Sequence, residues 1–282
     1  MKTILSIEEA VKLVPAIGAQ RPIDSASDKY EFVSTKKILE HVETMGWRIT
    51  NATSQGNGAF SQHRVTLVHD NYINCLCTNE TIPRIELFNS HNKTKRLTFA
   101  IGLLRQICSN GLIVATGPAE SIRSKHQIYS KSEISISEYV CNAVNRFPVV
   151  LNTIESFKQR KLTKSEQKTF AEYAIKGRYN YRPQIPKLYT DLDYSANKIL
   201  QTRRKEDEGD SLWVVYNRVQ ENLIKGIEGF NRPVNSYSDN IRTNQLLWKG
   251  AETALDFTEK QFQTRLTGLL IKDGTKGKIA AG

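Results

Sequence analysis

Residues 103–113 read LLRQICSNGLI, and several of these side chains are types that do chemistry. A thiolate at Cys108 is a nucleophile when its pKa is depressed and a base stands beside it. Arg105, three residues earlier, supplies a cation, but the run supplies no base. Cys108 also forms, with His63, His91 and His126, a four-member set of the kind zinc accepts. The spacing of that set matches no finger or ribbon. The cysteines, at 75, 77, 108 and 141, make no C-x-x-C pair, which points to reduced thiols rather than a disulfide framework. The expectation is that each histidine holds a hydrogen bond, with no metal, no cofactor and no catalytic residue assigned. G-x-x-x-x-G-K-[ST], G-x-G-x-x-G, H-E-x-x-H and G-x-S-x-G do not occur. Acidic clusters suited to Mg²⁺ are scarce in the first half, which weighs against a two-metal nuclease.

The charge is a second candidate for function. Forty Lys and Arg against 29 Asp and Glu leave a net +11, a balance that favours a polyanionic partner. The surplus is concentrated. Between Phe157 and Lys187 nine cations face only Glu166 and Glu172, a surplus of seven, and Phe170, Tyr173, Tyr179 and Tyr181 are interleaved with them. Cations that track phosphates beside rings that stack on unpaired bases are what single-stranded nucleic acid binding requires. The residues expected to bind are Lys158, Arg160, Lys161, Lys164, Lys168, Arg178, Tyr179, Tyr181 and Arg182. The competing reading is a solvated helix face whose tyrosines point into the core. A second charged run, RRKEDE at 203–208, cancels itself and reads as a loop.

The elements that must position these groups can be read from pattern. Ser6 with Glu9 makes a capping box for a helix over 7–13. STKKILEHVETMG predicts a second helix, with Gly46 as a left-handed C-cap. HRVTLVHD alternates, Asp70-Asn71 reads as a two-residue turn, and YINCLCTN and RIELFN follow as strands separated near Pro83. Asn110-Gly111, between two apolar runs, predicts a type I′ hairpin turn; a helix over 97–107 is the alternative. After residue 118 the pattern is helical. Thr163 with Glu166 opens a helix toward Gly177, residues 212–230 carry apolar residues three or four apart, and a last helix covers 239–270. The architecture is therefore α+β, a β-rich N-terminal half of antiparallel hairpins with flanking helices and a helical C-terminal half. Residues 1–130 and 131–270 form the two parts, packed as one continuous domain, with a disordered tail over 271–282. No stretch approaches the length of apolar residues that spans a bilayer. The N-terminus, interrupted by Glu8 and Glu9, does not read as a signal peptide, and the expected location is the cytoplasm.

IELFNSHNKTKRLTFAIGLLRQICSNGLIV also resembles the signature of a phage/plasmid-like family known as domain of unknown function 932, N-S-H-[DN]-x-[ST] followed by G-L-x-R-x-[VI]-C-S-N-G-L. Asn89, Ser90, His91, Asn92 and Thr94 match the first half. Gly102, Leu103, Arg105, Cys108, Ser109, Asn110, Gly111 and Leu112 match the second. FSQHRVTL, with His63, is similar to the family's Phe-x-x-His strand, and His126 falls at a recurrent histidine. SLWVVYNRVQENL and LLWKGAETAL are similar to its C-terminal part, so the likeness covers about 25–260. Lys93 stands where the family pattern carries glycine, a departure that bears on the tight turn after Asn92. The resemblance implies a bacterial mobile element and supplies no reaction. Within it, Arg105 and His91 are expected to support the fold. The leading expectation is single-stranded DNA binding in recombination or replication, with strand annealing as the specific activity and a homo-oligomer as a further partner state. The second is a counter-defence or regulatory protein that binds a host protein or nucleotide. The third is an enzyme built around His63, His91 and His126.

Overall fold

The computed structural model describes residues 4–27, 30, 32–74, 81–94, 97–105, 108–113, 133–179, 191–256, 261–262, 264–266 and 268–269. Contacts divide the chain into two compact units, Met1–Pro148 and Val149–Gly282. The division falls inside a helix, at its internal Pro148.

In the first unit, α1 (Ile7–Leu13) opens as its sequence demands. Glu9 N–H donates to Ser6 Oγ at 3.1 Å and Ser6 N–H to Glu9 Oε2 at 2.7 Å. α2 (Thr35–Thr44) is capped by Ser34, whose hydroxyl accepts from Lys37 N–H. It ends at Met45 with Gly46 in the left-handed region, at φ 83°. Five strands follow, β1 (Trp47–Gln55), β2 (Gln62–His69), β3 (Thr81–Asn89), β4 (Thr98–Arg105) and β5 (Cys108–Ile113). They pair in chain order as an antiparallel meander. Alternation sends Val65, Leu67, Ile85, Leu87, Phe99 and Ile101 to one face, where they form a core with α1, α2 and the first part of α3 (Glu133–Gln159).

Four local expectations are corrected. Asn110-Gly111 lies within β5, because the register pairs Arg105 with Cys108 and Leu103 with Leu112. The β4–β5 ladder therefore starts at Arg105 and Cys108 rather than on either side of Asn110-Gly111. Asp70-Asn71 belongs to a 3₁₀ turn over Asp70–Tyr72 rather than a two-residue hairpin. Pro83 lies inside β3, opposite Leu103 and beyond the last β2 pair, Leu67 with Ile85, so its missing N–H costs no ladder bond with β2. The strand over YINCLCTN is absent through Ile73, and Cys75 and Cys77 lie outside the described residues.

The other sheet face carries charge. The fully buried Glu86 accepts from Arg64 at 2.7 and 3.0 Å and from Thr66 Oγ1 at 3.0 Å, and Arg84 Nε lies 2.6 Å from it. Burial alone would push the Glu86 carboxyl up. The two guanidiniums and the Thr66 hydroxyl outweigh it and hold the carboxyl below its usual range.

The second unit begins with the end of α3 and is helical: α4 (Lys164–Tyr179), α5 (Leu192–Ile199), α6 (Leu212–Lys225) and α7 (Tyr237–Asp256). Thr163 and Glu166 form the expected capping box, and α4 runs on through Gly177 to Tyr179. Gly177 lies inside the helix and serves a close approach there, where a Cβ would overlap Leu246 of α7. The core is aromatic. Trp213 and Tyr216 stack at 5.9 Å, Trp248 meets Tyr216 edge-on, and Phe157 and Phe170 flank them.

The Glu86 cluster generates a prediction. Glu86→Ala leaves two guanidiniums without their shared anion and is expected to lower unfolding stability by about 3–5 kcal/mol, measured by urea denaturation. A loss below about 1 kcal/mol would show that the cluster is solvated.

Candidate functional site

The family-signature residues of β2 and β3 converge on one hydroxyl. Antiparallel register sets His63 opposite Asn89 at the end of the β2–β3 ladder. The N-terminus of α2 crosses that end and inserts Thr35. Asn89 Nδ2 donates to Thr35 Oγ1 at 3.0 Å and to the Val33 carbonyl at 3.2 Å. His63 Nε2 lies 2.8 Å from the same hydroxyl and His91 Nε2 lies 3.4 Å from it. The two imidazole rings are 5.2 Å apart, and Phe32 packs on His91 at 4.9 Å. Thr35, His63, Asn89, Ser90 and His91 are all fully buried.

Elementary bonding rules assign the protons. His63 Nδ1 lies 3.0 Å from the Ser61 carbonyl, which only accepts, so Nδ1 carries the hydrogen. Burial pushes the His63 pKa down, against the smaller effect of the Ser61 carbonyl, and the ring is neutral at pH 7. Its Nε2 therefore accepts from the Thr35 hydroxyl. That hydroxyl has one hydrogen, so Asn89 and His91 must both donate to it, and His91 bears its hydrogen on Nε2. Thr35 is thus used to its full capacity of one donated and two accepted bonds.

The flanking backbone is held in the same way. Tyr30 Oη donates to the Ser90 carbonyl, Ser90 N–H donates to Asn89 Oδ1, and His91 bonds Phe60 and Ile23 through its backbone. Asn92 Oδ1 accepts from Thr94 N–H at 3.2 Å, closing the turn, and Lys93 occupies the left-handed region at φ 68°. The tight turn therefore persists without glycine, with Lys93 Nζ donating to the Ser25 carbonyl. What this arrangement can do is dock a helix onto a sheet. Solvent has no access to either ring, and the Nε2 atom of each is committed to Thr35. Of the four-member metal set, only His63 and His91 are seen together. Cys108 and Arg105 are known as register partners in the backbone, as are Asn110 and Gly111 within β5, and His126 lies outside the described residues. No group of three or more His, Cys, Asp or Glu is arranged for a metal among the described residues. Sequence reasoning missed Thr35, whose only local signal was its place at the start of an amphipathic helix.

The basic segment divides into three kinds of residue. Lys158, Lys161 and Lys168 are solvent-facing and lie against Glu155, Asp210 and Asp193. Lys164 is exposed with no acidic partner among the described residues. Arg160 pairs with the buried Glu166 of the capping box, and Arg178 donates to the Leu223 and Arg232 carbonyls, so both hold the fold. Tyr179 is only 6% exposed, beneath the Arg178 guanidinium at 4.8 Å, and Phe170 and Tyr173 are buried. The expected stacking role of Tyr179 is therefore corrected: α4 turns it to the core face, as the competing reading had it. Tyr181 and Arg182 lie outside the described residues.

The family model described as Domain of unknown function (DUF932) matches residues 22–248. The chain is 27% identical over 265 residues to UPF0380 protein YafZ of Escherichia coli (strain K12), and 26% identical over 265 residues to UPF0380 protein YfjQ of the same organism. Each match covers 89% of this chain and 92% of the relative. No solved structure matches it. No helix among the described residues is long and apolar enough to cross a membrane.

Two outcomes are expected of the buried cluster. Thr35→Val keeps the shape and removes the hydroxyl, leaving His63 and Asn89 short of a partner, at a cost of about 1–3 kcal/mol in thermal or urea unfolding. Stability should also depend on pH through His63. Its folded pKa is lowered, so below the ordinary value of 6.5 the unfolded chain takes the proton first. Stability is held above that pH and lost as pH falls from there toward the folded pKa. Denaturation midpoints flat across that window would contradict this.

Proposed function

This chain belongs to the DUF932 family, and we propose that it binds single-stranded nucleic acid, with DNA as the leading case, through the helical second unit. The observation that supports this reading is the charge surplus of seven between Phe157 and Lys187, out of eleven for the chain. Lys158, Lys161, Lys164 and Lys168 are the residues for phosphate. The ion pairs of Lys158, Lys161 and Lys168 are exposed on both sides, and such pairs are worth about 0–1 kcal/mol. A phosphate can replace those carboxylates at small cost. Strand annealing needs no cofactor, only cations along a path and surfaces on which bases stack. The setting we infer is the cytoplasm of a bacterium carrying a mobile element. A reaction at His63 and His91 has less support, because both rings are buried and committed to Thr35.

The test is fluorescence anisotropy with labelled single- and double-stranded oligonucleotides at several salt concentrations. Lys164→Ala is expected to weaken binding for every sequence alike and to reduce the log–log salt slope by about 0.7. Arg160→Ala is expected to lower the melting temperature instead. Wild-type protein that prefers single strands no more than it prefers heparin would overturn the reading.

A further inference from the structure

Tyr179 is buried, so a single-strand surface in the second unit needs another stacking platform, and the geometry points to Tyr194. This inference rests on the proposed nucleic acid binding and names the base-stacking site within it. Tyr194, in the first turn of α5, is the only exposed large aromatic side chain among the described residues, at 54% of its surface. It is ordered from three sides. Asp191 Oδ1 accepts from the Tyr194 N–H at 2.9 Å, fixing the backbone beneath the ring. Phe230 meets the ring edge-on at 6.2 Å and 74°. One helical turn on, Lys198 Nζ lies 5.4 Å from the ring centroid.

The loop that brings Phe230 is itself rigidly held. Arg178 donates to the Leu223 and Arg232 carbonyls, and Arg203 donates to Asn222 Oδ1 and to the Gly226 carbonyl. Asn231 bonds back to Ile227 N–H and the Asn222 carbonyl. Gly226 sits at φ 75° with its Cα against the backbone of Asn231–Pro233, where a Cβ has no room. The pair of rings is thus built before any ligand arrives, which lowers the ordering cost of stacking.

The charge around the rings suits a strand. Lys198, and the exposed Arg232 two residues after Phe230, have no ion-pair partner among the described residues. Of the nearby acids, Asp191 is spent as the helix cap and Asp193 is paired with Lys168 and bonded by Asn197. Glu172, beside Lys168 on α4, is paired with Lys176, and Glu228 is exposed on the loop. A base on the open Tyr194 face would leave its flanking phosphate beside Lys198, and Lys168 and Lys164, one turn apart on α4, continue the cationic path, since Lys168 reaches Asp193 next to Tyr194.

The test is anisotropy of a labelled oligothymidylate, single-stranded and annealed to its complement, at several salt concentrations. Tyr194→Ala is expected to weaken single-strand binding by about 5- to 100-fold with an unchanged salt slope and an unchanged duplex affinity. Tyr194→Trp keeps the platform and should bind at least as well as wild type. Tyr194→Leu preserves the apolar contact with Phe230 and removes the π-face, so a folded Leu variant with the same loss supports stacking even if the Ala variant is unstable. Wild-type preference for single strands with unimpaired Leu and Ala variants would overturn the Tyr194 platform and leave the nucleic acid reading standing. No wild-type preference would overturn both.

Discussion

A single hydroxyl, that of Thr35, fixes how the first unit is put together. α2 is short, and its apolar stripe of Ile38, Leu39 and Val42 could slide along the apolar part of the sheet face it covers. Apolar contact is non-directional and sets no register. The Thr35 hydroxyl sets it, because it meets donors and an acceptor from β2 and from the end of β3 at once. Asn89 adds a second clamp by bonding the Val33 carbonyl just before the helix. A buried polar group with every bond satisfied is tolerated at one relative position of helix and sheet and penalised at others. The same logic explains why so polar a stretch as Asn89-Ser90-His91 sits fully inside a protein.

The second unit reaches specificity by other means. Its helices approach closely where side chains vanish, at Gly177 against Leu246 and at Gly250 against the Tyr173 ring. Its loops are tied down by guanidinium groups spent on carbonyls, those of Arg178 and Arg203 on Leu223, Arg232 and Gly226. Cations in this unit therefore fall into two kinds. Arginines near buried carboxylates and carbonyls hold the fold, whereas lysines at the surface sit in exposed, weak pairs. A charge count alone cannot separate the two, and burial does.

The sequence made the local elements readable. Ser6 with Glu9 and Thr163 with Glu166 formed the capping boxes their spacing demands, because a cap is decided within four residues. The alternation of HRVTLVH and RIELFN marked β2 and β3 for the same reason. β1 went unread: WRITNATSQ is an edge strand with a register shift between Ile49 and Asn51, which blurs its period. The hairpin was misplaced at Asn110-Gly111 because local turn preference yielded to a longer pairing of β4 with β5. Thr35 was illegible for a plain physical cause. Its partners lie 28, 54 and 56 residues away, and no local pattern encodes a meeting at that distance. The core-facing Tyr179 was illegible for a related reason, since composition shows that aromatics accompany cations but not which way a helix turns them.

The central claim is that the histidines of the family signature are fixed structural partners of Thr35 and not a free acid–base pair. Nitrogen chemical shifts of the imidazole rings in ¹⁵N-labelled protein at neutral pH test it most directly. The account predicts two different frozen tautomers, with hydrogen on Nδ1 of His63 and on Nε2 of His91, the first pairing with Ser61 and the second with Thr35. Rings that exchange between tautomers, or a His63 protonated on both nitrogens, would contradict it.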